Sequence, residues 1–410
     1  MDYTFVPDEE KCLISEYPPE LYREPFLIVG LLGGDNIPQN IKTNLFDDSI
    51  EGRKIVTFTA SKEYLPLKKK PPHPPIYEFL QPDEYFIRVE WLNKVRQDRP
   101  SVMVLFETQE TVFSPYNNIL QEIDTIHDIL SSRHTKLVLE IITCSPQILS
   151  STDEFVSLKK RMNVDGFLLF NLNDPKQSIE VLTKTVKQLS LRHYSDMEYN
   201  YFTRAESMKF PWYSAVSYFK AAFVSENQEA SFQNYKNSIK YYMKSYTSVL
   251  ELLRSEEQRF YKSSNVLATK ELISWIMFRL FNLLEKTAAF KEISEFFILF
   301  EKSCSTYVGV EELQCAHQKW LARQFQLIGV IYEKHKLTKT LSLFYSYASL
   351  VNYTKAYNLI STMFNGNSVK EFTKYLPPSY TPEKFYEYAI KQSFNLLFKI
   401  QVCRYVCNQK

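Results

Sequence analysis

Residues 211–253, PWYSAVSYFKAAFVSENQEASFQNYKNSIKYYMKSYTSVLELL, leave the backbone few choices. Trp212, Ala215, Val216, Phe219, Ala222 and Phe223 recur at helical spacing and make one apolar stripe. Pro211 suits a first helical turn, where its missing N–H costs nothing. Ser225, Glu226 and Asn227 interrupt the stripe with residues that favour turns. Phe232, Tyr235, Ile239, Tyr242, Tyr246, Val249 and Leu253 then follow at steps of three and four, a narrow seam for one partner helix. The stretch predicts an antiparallel αα-hairpin whose turn is Ser225-Glu226-Asn227 and whose seam is core.

Upstream, five short apolar runs lie at 26–32, 54–59, 102–106, 137–142 and 166–170. They are rich in Val, Ile, Leu and Phe, as buried strands are. Helical patterns at 117–131, 154–162 and 175–191 separate or follow the later runs, so the order reads as βαβ units and a mostly parallel sheet. The first two runs fit an edge or a hairpin equally well. After the first run comes Gly30-Leu31-Leu32-Gly33-Gly34-Asp35, which matches neither G-x-G-x-x-G nor G-x-x-x-x-G-K-[ST]. It reads as a glycine-rich turn closing a strand, and no nucleotide or other cofactor is expected.

Downstream, the chain stays helical, with stripes at 270–286, 288–304, 311–332, 342–350, 355–364 and 382–406. The window 272–284 is apolar nearly all round, broken by Ser274, Arg279 and Asn282, and reads as a buried helix. Only 8 glycines among 410 residues fit long helices better than a loop-rich β protein. The fold class expected is α+β: a surface segment at 1–24, an α/β domain at 25–195 and an α-solenoid or helical array at 196–410. No strict repeat period is present. A net charge of +2 gives no strong field for nucleic acid. Six scattered cysteines read as reduced thiols, and the start of the chain carries no signal-peptide pattern. A cytosolic protein, or one touching membranes only from outside, is the expectation.

Catalytic chemistry finds little support. His73, His127, His134, His193, His317 and His335 do not pair at metal-ligand spacing, and Cys403 with Cys407 lacks two further ligands. His317 beside Trp320 reads as a packed helix residue. No G-x-S-x-G elbow is present. Lys236, Lys240 and Lys244 stand at i, i+4, i+8, opposite the seam, and read as a solvated face or a surface for an acidic partner or membrane. Lys68, Lys69 and Lys70, among prolines in PLKKKPPHPP, read as an exposed loop or a contact for acidic lipid.

The run EELQCAHQKWLARQFQLIG at 311–329 resembles a stretch of the foie gras domain in a large subunit of the TRAPP tethering complex. There a Trp is followed by a basic residue and then Gln-Phe-Gln, matched here by Trp320, Arg323, Gln324, Phe325 and Gln326. Phe223, Glu226, Ala230 and Tyr235 look like the family's helical pair. Trp91-Leu92-Asn93-Lys94, followed by PSVMVLFE at 100–107, looks like its N-terminal segment, and FYSYA at 344–348 resembles its aromatic helix. The resemblance implies a non-catalytic scaffold in ER-to-Golgi and Golgi vesicle transport, located in the cytoplasm and peripheral at those membranes. It implies other TRAPP subunits as partners, with Rab GTPase and membrane contact indirect, since small core subunits form the exchange site. It implies no small-molecule substrate. Family members continue well beyond the length of this chain.

Overall fold

The structure, a computed structural model, describes residues 13, 16–33, 36–38, 55–59, 87, 89–114, 118–230, 234–254, 263–308, 313–365 and 381–408. The strand expectations all fall on strands: β1 Leu27–Leu32, β2 Ile55–Thr59, β3 Val102–Thr108, β4 Lys136–Thr143 and β5 Gly166–Asn171. Every pairing is parallel and the order is β2-β1-β3-β4-β5. The first two runs therefore form no hairpin. Of these two strands, β1 lies inside the sheet and β2 forms one of its edges.

Helices cover both faces, which is why the strands are apolar without alternation. Met103, Leu105, Leu137, Leu139 and Ile141 pack on one face with Ile119, Ile123, Ile126 and Leu130. On the other, Val102, Val104, Phe106, Val138 and Phe170 meet Leu182 and Val186. Gly33 has φ of +130°, and a Cβ there would lie 2.6 Å from the Phe106 carbonyl oxygen. Close approach of two strand ends explains that glycine, with no phosphate needed.

The helices, in chain order, are α1 Pro19–Tyr22, α2 Val89–Asn93, α3 Gln109–Val112, α4 Ile119–Ser131, α5 Pro146–Ser150, α6 Asp153–Arg161, α7 Pro175–Ser207, α8 Pro211–Glu229, α9 Lys236–Arg254, α10 Ser263–Lys286, α11 Phe290–Cys304, α12 Gln314–Lys334, α13 Lys339–Asn365 and α14 Pro382–Asn408. A π-helical turn, Lys94–Asp98, continues α2. Thr152 and Asp174 cap α6 and α7 by accepting from the N–H groups of Phe155 and Gln177.

α7 has 33 residues, a length of about 50 Å. Its first half buries Leu182 and Val186 in the sheet, and its second half buries Tyr194, Met197 and Ala205 among the helices. From α7 onward each helix packs mainly on its neighbours in sequence, the arrangement of a helical array.

Three local expectations change. Ser225, Glu226 and Asn227 are no turn: α8 runs through them to Glu229, and all three are buried. No Gly or Pro stands there to stop the helix, and the polar side chains find partners inside the protein. The stripes at 342–350 and 355–364 are one helix, α13. Between them Asn352 and Thr354 donate to the carbonyls of Ala348 and Leu350, at 2.7 and 2.9 Å. The α9 seam is turned from the expected one. Ser238 and Ser245 are fully buried beside Tyr242, Tyr246 and Val249, while Ile239 is half-buried toward solvent. Small serines bring α9 close to α8, and Ser245 Oγ donates to the Ala215 carbonyl at 2.7 Å.

Phe232, Gly34, Asp35, Glu311, Glu312, the 66–75 stretch and the side chains of Cys403 and Cys407 lie outside the described residues.

Candidate functional site

Glu226 sits at the centre of the molecule's polar interior. Its side chain is fully buried and meets two guanidiniums, Arg96 from the π-turn and Arg279 from α10. Arg96 Nη2 donates to Oε2 at 2.5 Å, and Arg279 Nε donates to Oε1 at 3.1 Å. Tyr242 Oη adds a bond to Oε1 at 2.5 Å. Arg96 also donates to the Phe223 carbonyl at 3.2 Å and to Asn227 Oδ1, with its guanidinium carbon 3.7 Å over the Phe223 ring. Arg279 reaches the Leu21 carbonyl in α1. One carboxylate thus fastens α1, the segment before β3, α8, α9 and α10.

The electrostatics follow from that geometry. Burial alone pushes the Glu226 carboxyl up, but Arg279 and Arg96 outweigh it and hold it below the ordinary carboxylate range. Burial and the adjacent carboxylate drive the Tyr242 phenol far up, so it stays a donor. Two cations against one anion leave the group net positive. Such a group fixes positions and offers no labile proton near neutral pH.

Trp91 and Phe223, both named by the family likeness, meet at this junction with ring centres 5.8 Å apart. Trp91 Nε1 donates to Tyr201 Oη at 3.2 Å, and Lys220 Nζ lies 5.2 Å from its ring. Burial, then Arg204, lowers the Lys220 ammonium to about 8. Asn93 and Lys94 stay outside the network. Asn93 bonds Asp98 at 2.8 Å on the surface, and Lys94 is exposed with its carbonyl accepting from Arg99 N–H.

The second set of family-motif residues forms a separate lock around Ser274. Trp320 Nε1 and Gln324 Nε2 both donate to Ser274 Oγ, at 2.8 and 3.0 Å. Phe325 packs edge-on to Phe297 at 5.3 Å, and Gln326 Oε1 accepts from Tyr353 Oη at 3.3 Å. Beside it Lys270 donates to the Val308 carbonyl, and burial lowers its ammonium to about 7. His317 is fully buried against the Ser305 carbonyl at 2.7 Å, and burial lowers it to about 4. It packs as expected. These residues hold α10, α11, α12 and α13 together.

The lysine row separates into two kinds. Lys236 and Lys240 are exposed. Lys244 is engaged: its Nζ donates to Glu206 at 2.5 Å and lies 5.0 and 5.2 Å from the Tyr218 and Phe202 rings. Among the described residues no group of three or more His, Cys, Asp or Glu is placed to hold a metal ion. No described helix is long and apolar enough to cross a membrane.

No family model matches the chain. It is similar to a human protein, "Trafficking protein particle complex subunit 11", and to its bovine counterpart. Each is 22% identical over an alignment of 341 residues covering 78% of this chain and 29% of the relative. The chain thus spans under a third of the length of the curated relatives it matches. Residues 196–410 make up only about half of the chain, so a match of that extent includes part of the sheet as well.

Sequence reasoning missed Arg96 as a partner of Glu226, because 130 residues separate them. The available signal was the interruptions themselves. Ser274 and Arg279 break the most apolar window of the chain, and each turns out to anchor a lock.

Proposed function

We propose that the chain is a non-catalytic scaffold of a trafficking-particle-type tethering assembly, acting in ER-to-Golgi and Golgi transport as a cytoplasmic protein peripheral to those membranes. The similarity to the human subunit, extending over both the sheet and the helices, carries this reading. The polar interior supports it, because its charged groups are spent on holding elements together. Other subunits of the assembly are the partners, and Rab GTPase and membrane are reached through them. The division at 1–24, 25–195 and 196–410 is proposed as functional, with α7 as the shared strut.

Partner contact is proposed to use aromatic side chains left over after core packing. Phe344 and Tyr347 on α13, and Tyr386 and Phe394 on α14, are each more than half exposed. Rigid rings of this kind anchor protein interfaces. Affinity purification of the tagged chain from cells, followed by mass spectrometry, tests the reading. Trafficking-particle subunits should be enriched, and Phe344→Glu with Phe394→Glu should release them while leaving the melting temperature unchanged. Absence of those subunits from the wild-type purification overturns the assignment.

A further inference from the structure

Residues 16–24, EYPPELYRE, run over the helical array as a strap gripped by side chains of α10 and α12. Tyr17 lies in a slot, its ring stacked on Phe278 at 4.2 Å and covered by the Arg323 guanidinium at 3.7 Å. Arg323 Nη2 also donates to the Glu16 carbonyl at 3.0 Å, and Arg279 Nη1 donates to the Leu21 carbonyl. Lys286 Nζ donates to both carboxylate oxygens of Glu24 at 2.8 Å. Cations of the array thus hold a segment whose glutamates outnumber its one arginine. The grip is incomplete. Tyr17 Oη is buried near Arg323 and Gln324 and closes a hydrogen bond to neither. Glu20 Oε2, Arg323 Nε and Gln324 Oε1 are also buried without a hydrogen-bond partner among the described residues, and Glu16 Oε2 stops 3.7 Å from Arg323 Nε. Water satisfies all of these atoms once the strap lifts. The strap adds no strand to the sheet and forms one short helix, Pro19–Tyr22, so lifting it breaks no ladder.

We propose that this strap is an internal stand-in for a partner protein, and that the slot formed by Phe278, Arg279, Lys286 and Arg323 receives an extended segment of the same chemistry. That segment carries a carboxylate, then a tyrosine, then proline, with an aliphatic side chain four residues past the tyrosine. Its carboxylate closes on Arg323, which the Glu16 carboxylate does not. Its ring takes the Tyr17 slot, and its aliphatic side chain takes the site of Leu21, which is fully buried. Proline pre-sets the backbone, as Pro18 does here at φ −52° and ψ 133°, so docking orders little that was free. While the strap is in place the slot is closed, and the partner's apparent affinity falls by the fraction of time the slot stands open. The inference stands on the strap and its slot, and holds whichever assembly the chain serves.

The test uses the full chain and a fluorescein-labelled peptide of residues 13–24. Tyr17→Ala with Leu21→Ala empties the slot without touching α10 or α12. Fluorescence anisotropy should show the peptide binding this double variant at least about tenfold tighter than wild type. Adding Arg323→Ala should remove most of that affinity, and so should alanine in place of the peptide's tyrosine. Rising salt should weaken binding, because Arg323 and Lys286 face the peptide's carboxylates. A second measurement needs no substitution. In wild type, amide exchange at 16–24 should be faster than in α10 and α12, and saturating peptide should quicken it further while β1 keeps its protection. Binding of the peptide to neither chain, or equally to both, overturns the proposal. Exchange at 16–24 as slow as in α10 also overturns it, since the strap then leaves only when the whole fold opens. That arm decides the matter if the double variant fails to fold.

Discussion

The helical junction and the sheet each bury a carboxylate, and they solve the problem in opposite ways. Glu226 is ionised between two guanidiniums and a phenol. Glu140, in the middle of β4, is fully buried on the α7 side of the sheet, and neither of its oxygens has a hydrogen-bond partner among the described residues. Its strand neighbours are Phe106 and Leu168. Burial raises its carboxyl from 4.5 to about 8, so it carries a proton at neutral pH. An apolar sheet face offers no cation to share, whereas the junction of five segments does. Charge is placed where segments distant in sequence must be fixed, and removed where strands simply stack.

Removing Glu226 should have the largest effect. Glu226→Ala leaves two guanidiniums buried without a counter-ion, which costs about 3–5 kcal/mol. Urea unfolding should register it as a lower midpoint. A change near zero would mean that the junction is not a stabilising element.

Glu140→Gln should act in the opposite direction. Between its ordinary 4.5 and about 8, the folded chain holds a proton that the unfolded chain has released. Stability therefore falls as pH rises through that window, by about 3 kcal/mol at pH 7. The amide removes the slope, so the variant should gain stability over wild type at pH 8 and little at pH 5. A gain that is equal at both values contradicts the protonated state.

The smallest effect belongs to the surface pair. Lys244→Ala loses an exposed bond to Glu206, which solvent screens, so little stability goes with it. Thermal melts should differ by little, and less still at high salt. A large loss would show that the Phe202 and Tyr218 rings depend on the lysine for their packing.

The sheet was legible because its strands are dense in branched apolar residues and separated by periodic helices. That pattern depends on neighbours in sequence. Pairing direction was legible for β3 to β5, where helices intervene, and open for β1 and β2, where no helical signal stood between the runs. The polar junction was not legible, because it joins Leu21, Arg96, Glu226, Tyr242 and Arg279 across most of the chain. Locally, Ser225-Glu226-Asn227 has turn chemistry, and only burial of its neighbours reveals it as helix interior. The motif residues Trp91 and Phe223 pointed to the right neighbourhood, and Trp320 and Gln324 to the second lock. Neither pair disclosed its partner, since ring contacts and the Ser274 hydroxyl depend on tertiary packing.

One buried carboxylate fastens the α1 segment and the 89–98 segment to the helical array. Amide hydrogen exchange of Glu226→Gln beside wild type tests it most directly. Faster exchange is expected at 19–22 and 89–98 together with α8, while β4 and β5 keep wild-type protection. Unchanged protection at 19–22 and 89–98, with loss confined to α8 and α9, would contradict it.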